Sequence, residues 1–302
     1  MKTINPKEVS AVELHAYLLG TIVPRPIAFA STIDTNGNVN LSPFSYFNIF
    51  GTNPATLIFS PARRIRGNTN KHTLENIKEV KEVVINMVNF DMVEQMSLAS
   101  SEYDKGINEF LKAGFTPVAS LMVKPPRVKQ SPASFECIVK DVVETGTEGG
   151  AGNLIICEIV LVHIDENILD QENKVDPYKL DAVARMGGDY YCHVHKDSIF
   201  KIAKPTRFQG IGFDKLPEFI LRSNVLTGNN LARLAGIEIL PTPEEVKNFS
   251  TTKLYKELEA DRFNNMDDFS LVIHKIAKKY LETGDIETAW LLLLQLRNEN
   301  VL

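Results

Sequence analysis

The chain has 302 residues, and its 33 Lys and Arg against 38 Asp and Glu give a formal net charge of −5. Hydrophobic residues make up 44% and charged residues 24%, which is enough apolar matter for a packed core and excludes a disordered chain. The acid excess disfavours a general polyanion binder and argues against a nucleic-acid partner.

The first ten residues are polar and lack the apolar stretch of a secretory signal. The longest apolar run, near residues 289–294, is far short of a membrane span, so no membrane partner is expected. Cys137, Cys157 and Cys192 follow neither a CxxC nor a zinc spacing and read as free thiols in a reducing cytoplasm. Residues 27–33 read as a strand, residues 34–38 as a turn around Asn36-Gly37, and residues 39–41 as the returning strand of a hairpin. Residues 55–60 form another strand. The spacing of Leu74, Ile77 and Val80 predicts a helix over 70–82. A buried strand at 83–88 and a short helix at 92–100 follow. Two long strands, 134–144 and 153–162, flank a glycine-rich turn at 146–152. Many strands joined by short hairpins, with two or three helices, predict a mainly β fold with α, a closed or nearly closed β-barrel carrying helical insertions.

The character changes after about residue 200. Residues 216–219, 229–235, 243–248 and 252–262 read as short helices, and 270–281 with 286–298 as a helical hairpin around Gly284. Trp290 to Leu294 are apolar all round, so that helix must be covered on several sides. The composition places a boundary near Lys204-Pro205, giving a barrel domain over 1–204 and a helical C-terminal extension over 205–302.

The charge balance breaks in one place. Residues 61–73 hold four Lys or Arg (Arg63, Arg64, Arg66 and Lys71) and no acid. Upstream of them, Ser31 and Thr32 end a strand with two hydroxyls. The run Asn40-Leu41-Ser42-Pro43-Phe44-Ser45-Tyr46-Phe47-Asn48 sets three aromatics among small polar groups. A planar amphipathic ligand with a phosphate tail needs these ingredients. Aromatic and proline edges cover the ring, amides and hydroxyls read its polar rim, and cations with a helix N-terminus hold the phosphate. Each residue taken alone has a structural reading, as barrel core for the aromatics and as a solvated loop for the arginines. The combination is what points to a site.

Arg25-Pro26-Ile27-Ala28, Ser31-Thr32, the 34–37 turn, Asn40 to Asn48 and Lys71-His72-Thr73-Leu74-Glu75-Asn76 resemble the flavin reductase-like proteins, with the flavoredoxin branch as the nearest in pattern. Arg185-Met186-Gly187-Gly188-Asp189-Tyr190 resembles an element of the same branch, and the likeness spans about residues 12–195. It implies an FMN-binding split β-barrel and a homodimer. By analogy Arg25, Ser31, Thr32 and Asn48 lie along the flavin. Ser42, Pro43, Phe44, Ser45, Tyr46 and Phe47 line the ring, while Lys71, His72, Thr73 and Asn76 face the phosphate, with Arg185 and Gly187 approaching from a later loop. Residues 97–104 resemble a segment that covers the flavin in such proteins.

The activity implied is NAD(P)H-dependent flavin reduction by hydride transfer to flavin N5, with FMN as cofactor and NAD(P)H as co-substrate. No acid–base residue is required, so none is assigned as catalytic; Arg25, Arg185 or backbone N–H groups of 42–47 are candidates to stabilise the reduced ring. A GxGxxG element after a strand is absent, so no Rossmann site serves the nicotinamide. A redox partner protein or monooxygenase would take the electrons. Two alternatives stay open, a flavoredoxin-like electron carrier and a non-catalytic flavin-binding module. His193 and His195 share one strand face but lack a third ligand, so they read as surface or interface histidines and no metal is expected.

Overall fold

In the computed structural model, which describes residues 1–202, 204, 209–262 and 269–299, the chain divides into two units, Met1–Phe200 and Lys201–Leu302. Pro205, half of the boundary expected from composition, lies outside the described residues.

The first unit begins with helix α1 (Ala11–Thr21), then strands β1 (Ala28–Ile33), β2 (Val39–Phe44), β3 (Phe47–Thr52) and β4 (Ala55–Phe59). Helix α2 (His72–Glu79), strand β5 (Glu82–Asn86) and helices α3 (Val93–Leu98) and α4 (Glu109–Ala113) follow. Two-residue strands β6 (Pro117–Val118) and β7 (Arg127–Val128) precede the long pair β8 (Ala133–Glu144) and β9 (Asn153–Ile164). A last small ladder joins β10 (Val183–Arg185) to β11 (Tyr191–His193).

Seven strands form one sheet in the order β2-β1-β5-β8-β9-β4-β3. Its pairings are antiparallel, and bulges interrupt the β8–β9 and β3–β4 registers. The two edges of this sheet, β2 and β3, are consecutive in the chain and joined only by Ser45 and Tyr46. A two-residue link forces the sheet to curl until its edges meet. Side chains close the seam, because Phe44 of β2 packs on Phe59 of β4 with ring centroids 5.6 Å apart. The interior is a single cluster fed by β1, β2, β4, β5, β8 and β9 and plugged by Leu74 and Ile77 of α2. This is a split β-barrel, in which the edge strands are not hydrogen-bonded to each other. The barrel expected from sequence is therefore open along the β2/β3 seam.

Alternation sets the layers. Ala28 and Ala30 of β1 face the barrel interior, while Ile27 and Phe29 face a second cluster with Met92, Met96 and Phe110 around α3 and α4. The β1–β2 turn is fixed by Asp34, whose Oδ1 accepts from the N–H groups of Asn36 and Asn38, and by Gly37 at φ +84°. Cys137 and Cys157 are buried inside the barrel, and burial pushes the Cys137 thiol up to about 12, so both are packing residues. His163 meets the fully buried Glu136 at 2.6 Å. Burial alone would raise that carboxyl, but the N–H groups of Leu121 and Met122, with His163, hold it below its usual range.

The second unit is helical, with α5 (Glu218–Leu221), α6 (Gly228–Ala235), α7 (Pro243–Phe249), α8 (Lys253–Arg262), α9 (Phe269–Thr283) and α10 (Ile286–Glu299). Its own core holds Trp290, Ile273, Leu281, Leu292 and Leu293 at 0% exposure. The buried indole Nε1 donates to the Leu234 carbonyl at 3.1 Å. Helix α10 is thus covered on several sides, as its all-round apolar run demands. No helix among the described residues is long and apolar enough to cross a membrane.

Trp290 is the sole tryptophan, so its fluorescence reports on the helical unit alone. Leu293→Ala should destabilise that unit by about 2–5 kcal/mol. Urea unfolding followed at the Trp290 emission should show the midpoint drop; an unchanged midpoint would place Leu293 outside the core.

Candidate functional site

A small polar pocket opens at the start of α2. It is lined by Asn40 and Ser42 of β2, by Arg64, by Lys71, His72 and Thr73, and from the opposite side by residues 99–103 and Glu109. Lys71 is the N-cap of α2 but supplies no side-chain cap, so the His72 and Thr73 N–H groups are left to solvent or a ligand, while the Leu74 N–H turns back to the Lys71 carbonyl at 3.0 Å. An uncapped helix start draws negative charge through its dipole and free donors.

The electrostatics point the same way. Lys71 is half-buried, and burial together with Arg64 lowers its pKa. Burial also lowers His72 below its ordinary value, with Arg64, Lys105 and Lys71 adding to the effect. Two permanent cations crowded into a partly desolvated place cost free energy that a bound anion would return. Arg64 Nε meets Glu102 Oε1 at 3.0 Å, and Arg64 Nη1 donates to Thr69 Oγ1 at 3.1 Å. Glu109, buried at the pocket base, accepts the Leu41 N–H at 2.9 Å, and burial raises its pKa.

The basic loop is a built structure rather than a solvated one. Arg63 donates to Asn68 Oδ1, Asn70 Oδ1 and the Asn68 carbonyl, each at 2.7 Å. The tip of the β8–β9 hairpin supports it, with the Arg63 N–H donating to the Ala151 carbonyl at 2.9 Å and the Gly150 N–H to the Arg63 carbonyl at 3.1 Å. A Cβ at Gly149 would stand 2.8 Å from the Ile65 carbonyl oxygen and 3.0 Å from that of Arg64, so only glycine permits this approach. Arg66 stays exposed.

Most of the sequence-derived residues fall into three groups. Ser42, Lys71, His72 and Thr73 come together in the pocket, where Asn40 Nδ2 donates to Thr73 Oγ1 at 2.9 Å. Ser31, Thr32 and Asn76 are buried. Asn76 Nδ2 donates to Thr32 Oγ1 at 3.2 Å, tying α2 to β1, and Ser31 Oγ has no hydrogen-bond partner among the described residues. Arg25, Ser45, Tyr46, Arg185 and Gly187 gather by the end of α1.

In that third group the buried Arg25 guanidinium donates to the carbonyls of Leu19, Ile22 and Met186 at 2.6–2.7 Å, and its Nε to Ser45 Oγ at 3.4 Å. Arg25 thereby caps the C-terminal end of α1. Burial raises the Tyr46 phenol, with the Arg25 charge opposing it. The Arg185 guanidinium lies over the Tyr191 ring at 4.5 Å, and its backbone pairs with that of Arg25. A Cβ at Gly187 would stand 2.9 Å from the Gly20 Cα, so this glycine lets the 186–188 loop touch α1. Pro43 is half-buried on β2, Phe44 and Phe47 pack with the barrel core, and Asn48 is exposed and accepts from the Ile49 N–H.

Sequence reasoning did not assign Arg64, Glu102 or Glu109 to the site. The basic run contained the signal for Arg64 and the 97–104 segment contained Glu102, whereas nothing local marks Glu109. His193 bonds Asp181 at 2.6 Å and stacks on Phe90 at 4.0 Å, and His195 Nδ1 accepts the Asp197 N–H. Among the described residues no group of three or more His, Cys, Asp or Glu could hold a metal.

Residues 19–180 match the family model for the flavin reductase like domain. An uncharacterized protein of Aquifex aeolicus is 36% identical over 196 residues, covering 65% of this chain and 97% of that protein. Among solved structures, nitrilotriacetate monooxygenase component B from Bacillus cereus superposes with a TM-score of 0.62 at 26% identity, covering 67% of this chain and 98% of that one. The Pseudomonas fluorescens 2-nitrobenzoate 2-nitroreductase superposes at 0.61 with 25% identity, covering 70% and 100%. The chain belongs to the flavin reductase-like family.

The pocket should bind a simple anion. Inorganic phosphate at 100 times its Kd should stabilise the protein by about 2.7 kcal/mol, read as a rise in the thermal midpoint. Lys71→Gln should remove most of that rise; an equal rise in the variant would take Lys71 out of the anion site.

Proposed function

We propose that the chain is an FMN-binding oxidoreductase in which NAD(P)H reduces the flavin by hydride transfer to N5, with the FMN phosphate at the start of α2. The observation that carries this reading is the uncapped α2 N-terminus with Arg64 and Lys71 crowded beside it and Ser42 opposite. That donor set suits a monophosphate, since it combines two cations, a hydroxyl and helix N–H groups. Membership of the flavin reductase-like family and the likeness to a monooxygenase component and a nitroreductase support the redox assignment.

When bound, the flavin supplies the electron chemistry, and the protein supplies binding and orientation. Lys71, Arg64 and the α2 start hold the phosphate. Strand β2 then leads from Ser42 to Ser45 and Tyr46, about 10 Å along an extended chain, which sets the direction of the ring. Arg25 is committed to three carbonyls, so it acts on the ring end through its charge and by fixing Ser45. Thr32 and Asn76 position α2 against β1. Ser31, Asn48, Arg185 and Gly187 are assigned to the flavin surroundings by family resemblance.

We also propose a homodimer. Helix α1 has no buried residue and exposes Val12 and Leu18, while β9 exposes Val160, Val162 and Ile164. Such apolar surface favours a partner copy. Delivery of reduced flavin to a partner monooxygenase, a cytoplasmic location, and the 1–204 and 205–302 domains complete the proposal.

The purified chain should be yellow and release FMN. Lys71→Glu should weaken FMN binding through loss of a charge-assisted contact of about 1.5–3 kcal/mol, roughly ten- to 150-fold. Anaerobic mixing with NADH and then NADPH should bleach the bound flavin. Flavin that resists both but is reduced by a protein donor would move the chain to the electron carriers, and a colourless protein that cannot take up FMN would end both readings.

A further inference from the structure

We infer that Glu102 is an internal stand-in for the flavin phosphate, and that its competition sets how readily FMN leaves. This rests on the phosphate placement proposed above.

Two carboxylates line the pocket, and they differ in kind. Glu109 is 5% exposed and committed to the Leu41 N–H, so it belongs to the pocket base. Glu102 has a side chain 72% exposed, so burial does not hold it in place. It reaches Arg64 Nε at 3.0 Å, and its charge also acts on Lys71. One carboxylate therefore stands against both pocket cations. Arg64 Nη1 is already engaged by Thr69 and the Asn70 carbonyl, which leaves the Nε edge for an anion, and Glu102 takes it.

An incoming phosphate needs the same cations. It must displace Glu102 from Arg64 or share the guanidinium with a like charge, and either lowers affinity. An ion pair this exposed is weak, so the competitor is displaceable rather than blocking. The result is a phosphate site that is prepared before FMN arrives and that gives FMN up again. Such a site holds FMN and still lets it exchange with flavin in solution.

The alternative role for Glu102 is to position Arg64 for the phosphate, and it predicts the opposite sign. Equilibrium binding of FMN and of riboflavin to the full chain, read by flavin fluorescence at low salt, separates the two. Glu102→Gln should tighten FMN by about three- to tenfold, as expected for an exposed competing pair, slow FMN dissociation, and leave riboflavin unchanged. Glu102→Asp, which keeps the charge, should stay close to wild type. Weaker or unchanged FMN binding in Glu102→Gln, with wild type still preferring FMN to riboflavin, would overturn the inference alone. Wild type binding both flavins equally would overturn the phosphate placement and the inference with it.

Discussion

Arg64 and Lys71 carry like charges into one corner at the start of α2, where burial and the nearby Arg64 charge both oppose the charge on Lys71. Several separate elements hold the corner in that state. The 63–70 loop is locked by the Arg63 fork, and the β8–β9 hairpin tip presses on it through Gly149. Helix α2 is pinned from below by Leu74 and Ile77 in the barrel and from the side by the Asn76–Thr32 bond. A folded protein that spends stability on an unfavourable charge arrangement gains a preorganised place for the opposite charge.

The barrel explains why this corner and the Arg25 cluster lie on one path. The edge strands of the sheet are consecutive, so the seam falls at Ser45-Tyr46. The Ser60 N–H donates to the Tyr46 carbonyl at 2.8 Å, which carries the β3–β4 ladder up to the seam, and Arg25 reaches Ser45 at the end of β2. Strand β2 therefore runs from the anion pocket at Ser42 to the seam. An open seam exposes polar backbone and side chains that a closed barrel would have consumed in pairing.

The strands and the α2 helix were legible because their signals are local. Asp34 to Gly37 mark a turn, short runs of apolar and small residues mark β1 and β5, and the spacing of Leu74 and Ile77 marks α2. Helix α1 escaped, although Ser10-Ala11-Val12-Glu13 fits a capping-box spacing and Ser10 Oγ does accept the Glu13 N–H. Its residues stay out of the core, so no apolar stripe announces it. Strand β3 escaped for a related reason, since an edge strand with exposed Ile49 and Phe50 and a bulge before Gly51 breaks alternation. At the site, Ser42, Lys71 and His72 stood in readable motifs. The Arg64–Glu102 pair spans 38 residues, and the Gly20–Gly187 approach joins distant segments, so neither has a local mark.

The net charge of −5 describes the whole chain and says little about the pocket. What an arriving ligand meets is two fixed cations, one helix start and one exposed carboxylate, with His72 held toward its neutral form by burial. A singly charged anion gains little over the carboxylate already present. A phosphate monoester carries close to two charges at neutral pH and offers three acceptor oxygens. It can engage Arg64 and Lys71 together and still accept from the α2 start. On the proposed reading, this charge arrangement favours a terminal monophosphate over a singly charged anion, and the overall acidity of the chain disfavours longer polyanions.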